Sequence, residues 1–91
     1  MEWIWDEQKA ARNLAKHGIS FDAAVLVFDD PWQLSEPDPH PDDERWRTIG
    51  MVDSETLFVV HTLIESDGNG RIISARLASR MERRRYEEGS R

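Results

Sequence analysis

Apolar and polar residues alternate with two different periods along this chain, and each change of period marks a new element. The run Trp3-Ile4-Trp5 reads as a short strand over residues 3–5. Asp6 then offers a carboxylate to cap a helix over residues 7–17, whose apolar stripe of Ala10, Ala11, Leu14 and Ala15 is narrow. Gly18 suits the left-handed conformation that ends such a helix. Ser20 caps a second helix over residues 21–28, where Phe21, Ala24, Val25 and Phe28 recur at i, i+3, i+4 and i+7 and so share one buried face. Asp29-Asp30-Pro31 stops it.

Residues 32–34 read as a short strand. The prolines at 37, 39 and 41 remove backbone donors, so residues 35–43 are expected to form a stiff acidic surface loop instead of a regular element. Strands follow over residues 44–52, 56–64 and 71–78. The short polar connections Asp53-Ser54-Glu55 and Ser66-Asp67-Gly68-Asn69 fit an antiparallel meander. Ser79 and Glu82 form a capping box for a last helix that Gly89 closes. Its sizeable apolar residues are only Met81 and Tyr86, so it is expected to project and rest on a partner. The order β-α-α-β-β-β-β-α predicts a single α+β domain over residues 1–91. Its small antiparallel sheet is covered on one face by two N-terminal helices and followed by a C-terminal helix.

The meander carries a sharper expectation. If the connections pair Val52 with Thr56 and Glu65 with Gly70, then Arg47, His61 and Ser74 form one row across three strands. Arg76, Val59 and Ile49 form the next row of the same face. Trp46, Thr48, Val52, Phe58, Val60, Ile64, Ile73, Ala75 and Leu77 collect on the other face, the core side. A slip of one residue in either hairpin would exchange the faces.

Composition narrows the function classes. A chain of 91 residues buries only about 60% of its unfolded surface, a thin core that partner binding can supplement. There is no cysteine, which excludes disulfides and thiolate metal sites. No apolar run approaches the length of a membrane span, and residues 1–6 do not resemble a signal peptide; the cytoplasm is the expected compartment. The net charge of −6 argues against tight nonspecific nucleic-acid binding. It is, however, segregated: residues 29–55 hold nine acids against two arginines, and residues 71–91 seven arginines against three acids. That leaves room for a local basic site or an oppositely charged partner. Direct DNA binding by this chain alone is disfavoured by the charge and by the lack of a helix-turn-helix pattern.

An arginine cluster with a histidine suits phosphodiester cleavage. Guanidinium groups present planar donors to phosphate oxygens, and preorganised cations stabilise the charge that grows in the transition state. Histidine titrates near neutrality and can move a proton. In RNA the ribose 2′-hydroxyl is the nucleophile, so neither a metal nor a cofactor is required. The candidate catalytic residues are His61, Arg76, Arg47 and Arg45; the candidate substrate contacts are Ser74, Lys16 and Arg83. Each has a plainer reading. His61 reads equally as a hydrogen-bonded strand histidine, and Arg47 and Arg76 as sheet residues paired with acids of the loop over 38–44. Glu44 is either a base or a loop-edge acid. Arg83-Arg84-Arg85 is either a solvated helix face or a contact to an acidic surface or RNA, and Lys9, Lys16 and His17 read as helix decoration. His17, His40 and His61 lie in different elements, which argues against a zinc site.

With these residues in view, the chain resembles the BrnT family of type II toxins. The resemblance is carried by Trp5-Asp6-Glu7 with Lys9 and Asn13, by Lys16-His17-Gly18-Ile19-Ser20-Phe21, and by Val27-Phe28-Asp29-Asp30-Pro31. It continues through Glu44-Arg45, Ile49-Gly50, Leu57-Phe58-Val59-Val60-His61-Thr62, Arg71-Ile72-Ile73-Ser74-Ala75-Arg76, and Glu82-Arg83 with Tyr86. It implies a fold similar to RelE-type toxins and RNA cleavage that inhibits translation. It also implies neutralisation by a BrnA-like antitoxin with a DNA-binding domain, so that operator DNA is met only through the complex, within which this chain could pair as a homodimer. The alternative is a non-catalytic module that keeps the fold and uses its arginine helix to hold a partner.

Overall fold

The computed structural model describes residues 2–39, 44–63 and 68–89. The elements are β1 (Glu2–Ile4), α1 (Glu7–His17), α2 (Phe21–Ala24), a 3-10 helix (Val25–Asp29), β2 (Leu34–Pro37), β3 (Arg45–Val52), β4 (Glu55–Thr62), β5 (Asn69–Leu77) and α3 (Arg80–Gly89). The expectations for His40 to Asp43 in the acidic loop, for Ile64 in the core, for Glu65 as the partner of Gly70, and for Ser66 and Asp67 in the second connection lie outside the described residues.

Local signals set most boundaries. The Asp6 carboxylate accepts from the Gln8 and Lys9 amides at 2.8 and 3.1 Å, and Gly18 ends α1 with φ of 73°. Ser20 Oγ accepts from the Ala23 amide at 3.1 Å. At α3 the capping box is reciprocal. The Ser79 amide donates to Glu82 Oε1 at 2.8 Å, and the Glu82 amide donates to Ser79 Oγ at 3.2 Å.

The expected second helix is only one α-helical turn before it tightens into the 3-10 helix. That winding drives fully buried Val27 against Gly50, where an added Cβ would lie 3.0 Å from the Val27 Cβ. The proline-rich stretch is also more regular than expected, because Leu34–Pro37 forms an edge strand on β3. A proline is tolerated at the end of an edge strand, where a lost donor breaks no central ladder.

Among the described residues the sheet has five strands in the order β1-β5-β4-β3-β2. It is mixed, not wholly antiparallel, because β1 runs parallel to β5 with Trp3 beside Gly70. Beyond the end of β1, the edge of β5 is completed by a side chain. Buried Asn13 of α1 donates to the Ala75 carbonyl at 2.8 Å and accepts from the Ala75 amide at 3.1 Å. Asn13 also donates to the Ile19 carbonyl at 2.9 Å, which ties the end of α1 to the same edge.

Register decides the faces, and here the structure corrects the expected pairing. Asp53 and Ser54 alone form the first turn, and Val52 pairs with Glu55. Asp53 takes φ of 55°, a left-handed value that aspartate tolerates. One residue fewer in the turn shifts β3 against β4 by one position. Trp46 therefore opposes His61, and Arg47 opposes Val60. Between β4 and β5, Val60 pairs with Ser74, and a bulge then brings His61 opposite Ile72.

The result is two cores. On the inner face Leu57, Val59, Ile72 and Ala75 pack with Ile19, Phe21, Ala24 and Val27. On the outer face Phe58 and Val60, expected in the first core, join Ile49 and Tyr86. The last helix therefore does not project. It lies on the outer face, anchored by buried Tyr86.

Candidate nucleic-acid interface

Two rows of side chains cross the outer face. One runs Glu36, Arg47, Val60, Ser74, and the next runs Leu34, Ile49, Phe58, Arg76. Arg45 stands one step further along, opposite Thr62. Glu36 joins two cations: Arg47 Nε donates to its Oε1 at 2.8 Å, and Arg85 of α3 donates to its Oε2. The Arg85 bond foremost, then Arg47, holds the Glu36 carboxyl below its ordinary range despite some burial. One turn earlier in α3, the two terminal nitrogens of Arg76 reach the two Glu82 oxygens at 2.8 and 2.9 Å. The Arg76 guanidinium carbon sits 4.1 Å from the Phe58 ring centroid, so the fork is also stacked. Arg76 accordingly holds the Glu82 carboxyl low.

His61 is elsewhere. It points to the inner face and is 4% exposed. Its ring meets Trp3 and Phe28 edge-on at 5.3 and 4.9 Å, and those two rings stack at 4.1 Å. Nδ1 lies 2.6 Å from the Thr62 carbonyl, an atom that only accepts, so Nδ1 carries the proton. Nε2 then accepts from Thr48 Oγ1 at 2.7 Å, and Thr48 in turn accepts from Ser35 Oγ at 2.6 Å. Burial pushes the imidazole pKa down, and the Thr62 bond only partly opposes it.

This has a pH consequence with a definite sign. Below the ordinary imidazole pKa of about 6.5 the unfolded chain takes up a proton that the folded His61 refuses. The contribution is complete above that value and is lost as pH falls further. The shifted carboxylates Glu36 and Glu82 titrate below 4.5, outside this window. Urea unfolding of the wild type at pH 7.5 and 5.5 is expected to show a loss of stability that His61→Gln largely removes. An equal loss in both proteins would assign the slope to another group.

The structure thus divides the candidate residues. Arg47, Arg76, Arg45 and Ser74 share the outer face, and Arg83 is exposed on the helix that crosses it. His61 is not in the Arg47–Ser74 row, because the shorter turn reverses its strand; it is sealed under aromatic rings and cannot touch a substrate. Lys16 is exposed on α1, whose buried side joins the inner core, so it does not converge with the arginines. The partners of the arginines are Glu36 and Glu82, not acids of the 38–44 loop. Glu36 went unrecognised in the sequence, and Arg85 entered only within the Arg83-Arg84-Arg85 run, without its partner. The alternation of Leu34-Ser35-Glu36-Pro37 held the signal for the first, and the position of Arg85 beside the apolar Tyr86 for the second. Among the described residues no three His, Asp or Glu side chains gather as a metal-ligand set, and no helix is long and apolar enough to cross a membrane.

A face that gathers Arg45, Arg47 and Arg76, the last both stacked on Phe58 and bidentate to Glu82, is a surface suited to phosphate. Comparison with known families matches residues 5–82 to the ribonuclease toxin BrnT of type II toxin–antitoxin systems. The chain belongs to the BrnT family. The match begins just after β1 and includes all of α1 through β5, with the Glu82 end of the capping box. A search of curated proteins finds no match. Membership in BrnT, a type II family, implies an antitoxin partner.

Proposed function

We propose that this chain is an endoribonuclease that cleaves RNA without a metal, inhibits translation, and is neutralised in the cytoplasm by a BrnA-like antitoxin. The observation that carries the reading is the set of guanidinium groups on the outer face of a chain that belongs to a ribonuclease-toxin family. A phosphodiester seated there exchanges with the carboxylates: its oxygens take the forks of Arg47 and Arg76, with Arg45, Ser74 and Arg83 along the strand of RNA. Glu36, released from Arg47, then loses one of the charges that hold its pKa down and becomes a better proton acceptor. It accepts the proton of the 2′-hydroxyl as that oxygen attacks phosphorus. The bond to the 5′-oxygen breaks, and water returns a proton to it, leaving a 2′,3′-cyclic phosphate and a 5′-hydroxyl. His61 supports this site only indirectly, as part of the core beneath it.

Incubation of the purified protein with a single-stranded RNA, with and without a chelator, tests the reading. The expected result is cleavage unaffected by the chelator, with cyclic-phosphate ends. An RNA left intact under all conditions would favour the non-catalytic partner-binding alternative, for which the net charge of −6 speaks.

A further inference from the structure

A groove of about 430 Å³ whose lining holds no arginine opens between the 3-10 helix, the turn after it and the end of β3, lined by Leu26, Asp29, Asp30, Trp32, Met51 and Tyr86. Three large apolar side chains stand open to solvent in it: Trp32 is 60% exposed, Leu26 47% and Met51 43%. Apolar surface gathered at one place on a small domain marks an interaction site. Asp29 and Asp53 are exposed at its rim, and neither forms an ion pair with a described residue.

The groove is already built. Asp30 Oδ1 accepts from the Trp32 amide at 2.9 Å, while Oδ2 accepts from the Met51 amide at 2.8 Å and the Tyr86 hydroxyl at 2.5 Å. One carboxylate therefore fastens the turn, β3 and α3 together. Burial and the Asp30 bond push the Tyr86 hydroxyl up to about 12, so this tie persists across the physiological range. A preformed pocket costs little to order on binding.

We infer that this groove is the docking site of the antitoxin, and that the docking segment presents apolar side chains to Trp32, Leu26 and Met51 flanked by arginine or lysine to meet Asp29 and Asp53. The inference rests on the toxin–antitoxin reading of the family. Charge selects the occupant: an apolar floor with an acidic rim on a chain of net charge −6 favours a basic amphipathic segment over an acidic or neutral one. Aromatic residues such as Trp32 dominate the binding energy of interfaces of this kind.

The test is co-purification and titration of the full chain with the product of the adjoining reading frame. Trp32→Ala is expected to weaken the complex by about 30-fold or more. Asp29→Lys combined with Asp53→Asn is expected to weaken it and to flatten its dependence on salt, a readout that a mere packing role would not move. Circular dichroism and melting of each variant alone exclude misfolding, and Leu14→Arg on the far side of α1 serves as the control. A complex that these groove variants leave intact, or one that only Leu14→Arg disrupts, overturns the docking site while sparing the family reading. If no complex forms with the wild type at all, the docking site is overturned, while cleavage of RNA by the chain alone still decides the ribonuclease reading. If light scattering finds the chain dimeric alone and Trp32→Ala makes it monomeric, the occupant is a second copy and the antitoxin assignment is wrong.

Discussion

Replacing Arg47 and Arg76 together by alanine should slow RNA cleavage by about a thousandfold, since the loss of even one preorganised donor to a developing anion costs about 10²–10³ in rate. Both side chains lie on the face where the proposed phosphate sits, and no described neighbour could take over both forks. The fold should survive. Each arginine is partly exposed and paired with one carboxylate, and such pairs contribute about 1 kcal/mol or less. The Glu82 carboxylate would still receive the Ser79 amide, and Glu36 would still receive Arg85. RNA affinity would change in a way that identifies the interaction. Once neither guanidinium neutralises a phosphate, the slope of log affinity against log salt should fall by about 1.4 for a single strand. A double lysine variant restores that slope but not the rate, because an ammonium cannot reproduce the planar fork. Cleavage by the alanine pair at the wild-type rate would place the scissile phosphate elsewhere.

The second large effect is on stability. Asn13→Leu should destabilise the fold by about 3 kcal/mol or more, since each buried polar group left unpaired costs about 1–3 kcal/mol. Leucine would strip a partner from the Ala75 amide, the Ala75 carbonyl and the Ile19 carbonyl at once. Both Ala75 groups point away from β4, past the end of β1, where no strand of the described residues reaches them. At about 4–8 °C per kcal/mol for a domain of this size, melting should fall by more than about 12 °C. Asn13→Asp separates the roles: it still accepts from the Ala75 amide but sets a charge against two carbonyls. A leucine variant that melts close to the wild-type temperature would show that water or a shifted β1 replaces the side chain.

The order of elements was legible because each boundary carries its own chemistry: Asp6, Gly18, Ser20 and the Ser79–Glu82 box all act as their spacing implies. The faces of the sheet were not. Apolar residues occupy every position from Leu57 to Val60, and polar Thr56, His61 and Thr62 on either side are buried too, so alternation along β4 gives no parity. Parity then hangs on whether the turn has two residues or three, and Asp53 can take the left-handed conformation that permits two. That one residue moved His61 from the expected site into the inner core. It also left Arg47 and Arg76 on the face where Tyr86 lands. The role of α3 escaped the sequence for a related reason: the patch of Ile49, Phe58 and Val60 that seats Tyr86, and the Glu36, Arg76 and Asp30 partners of α3, meet the helix only once the faces are known.

The parallel pairing of β1 with β5 joins Glu2 to Asn69 and Ile4 to Arg71. A nascent chain emerging from the ribosome therefore exposes its first strand while the edge that completes it has yet to be synthesised, and pairings so distant in sequence form late. The last strand also supplies Ser74 and Arg76. A chain released before β5 is made would lack the partner of β1 and the Arg76 fork in a single stroke.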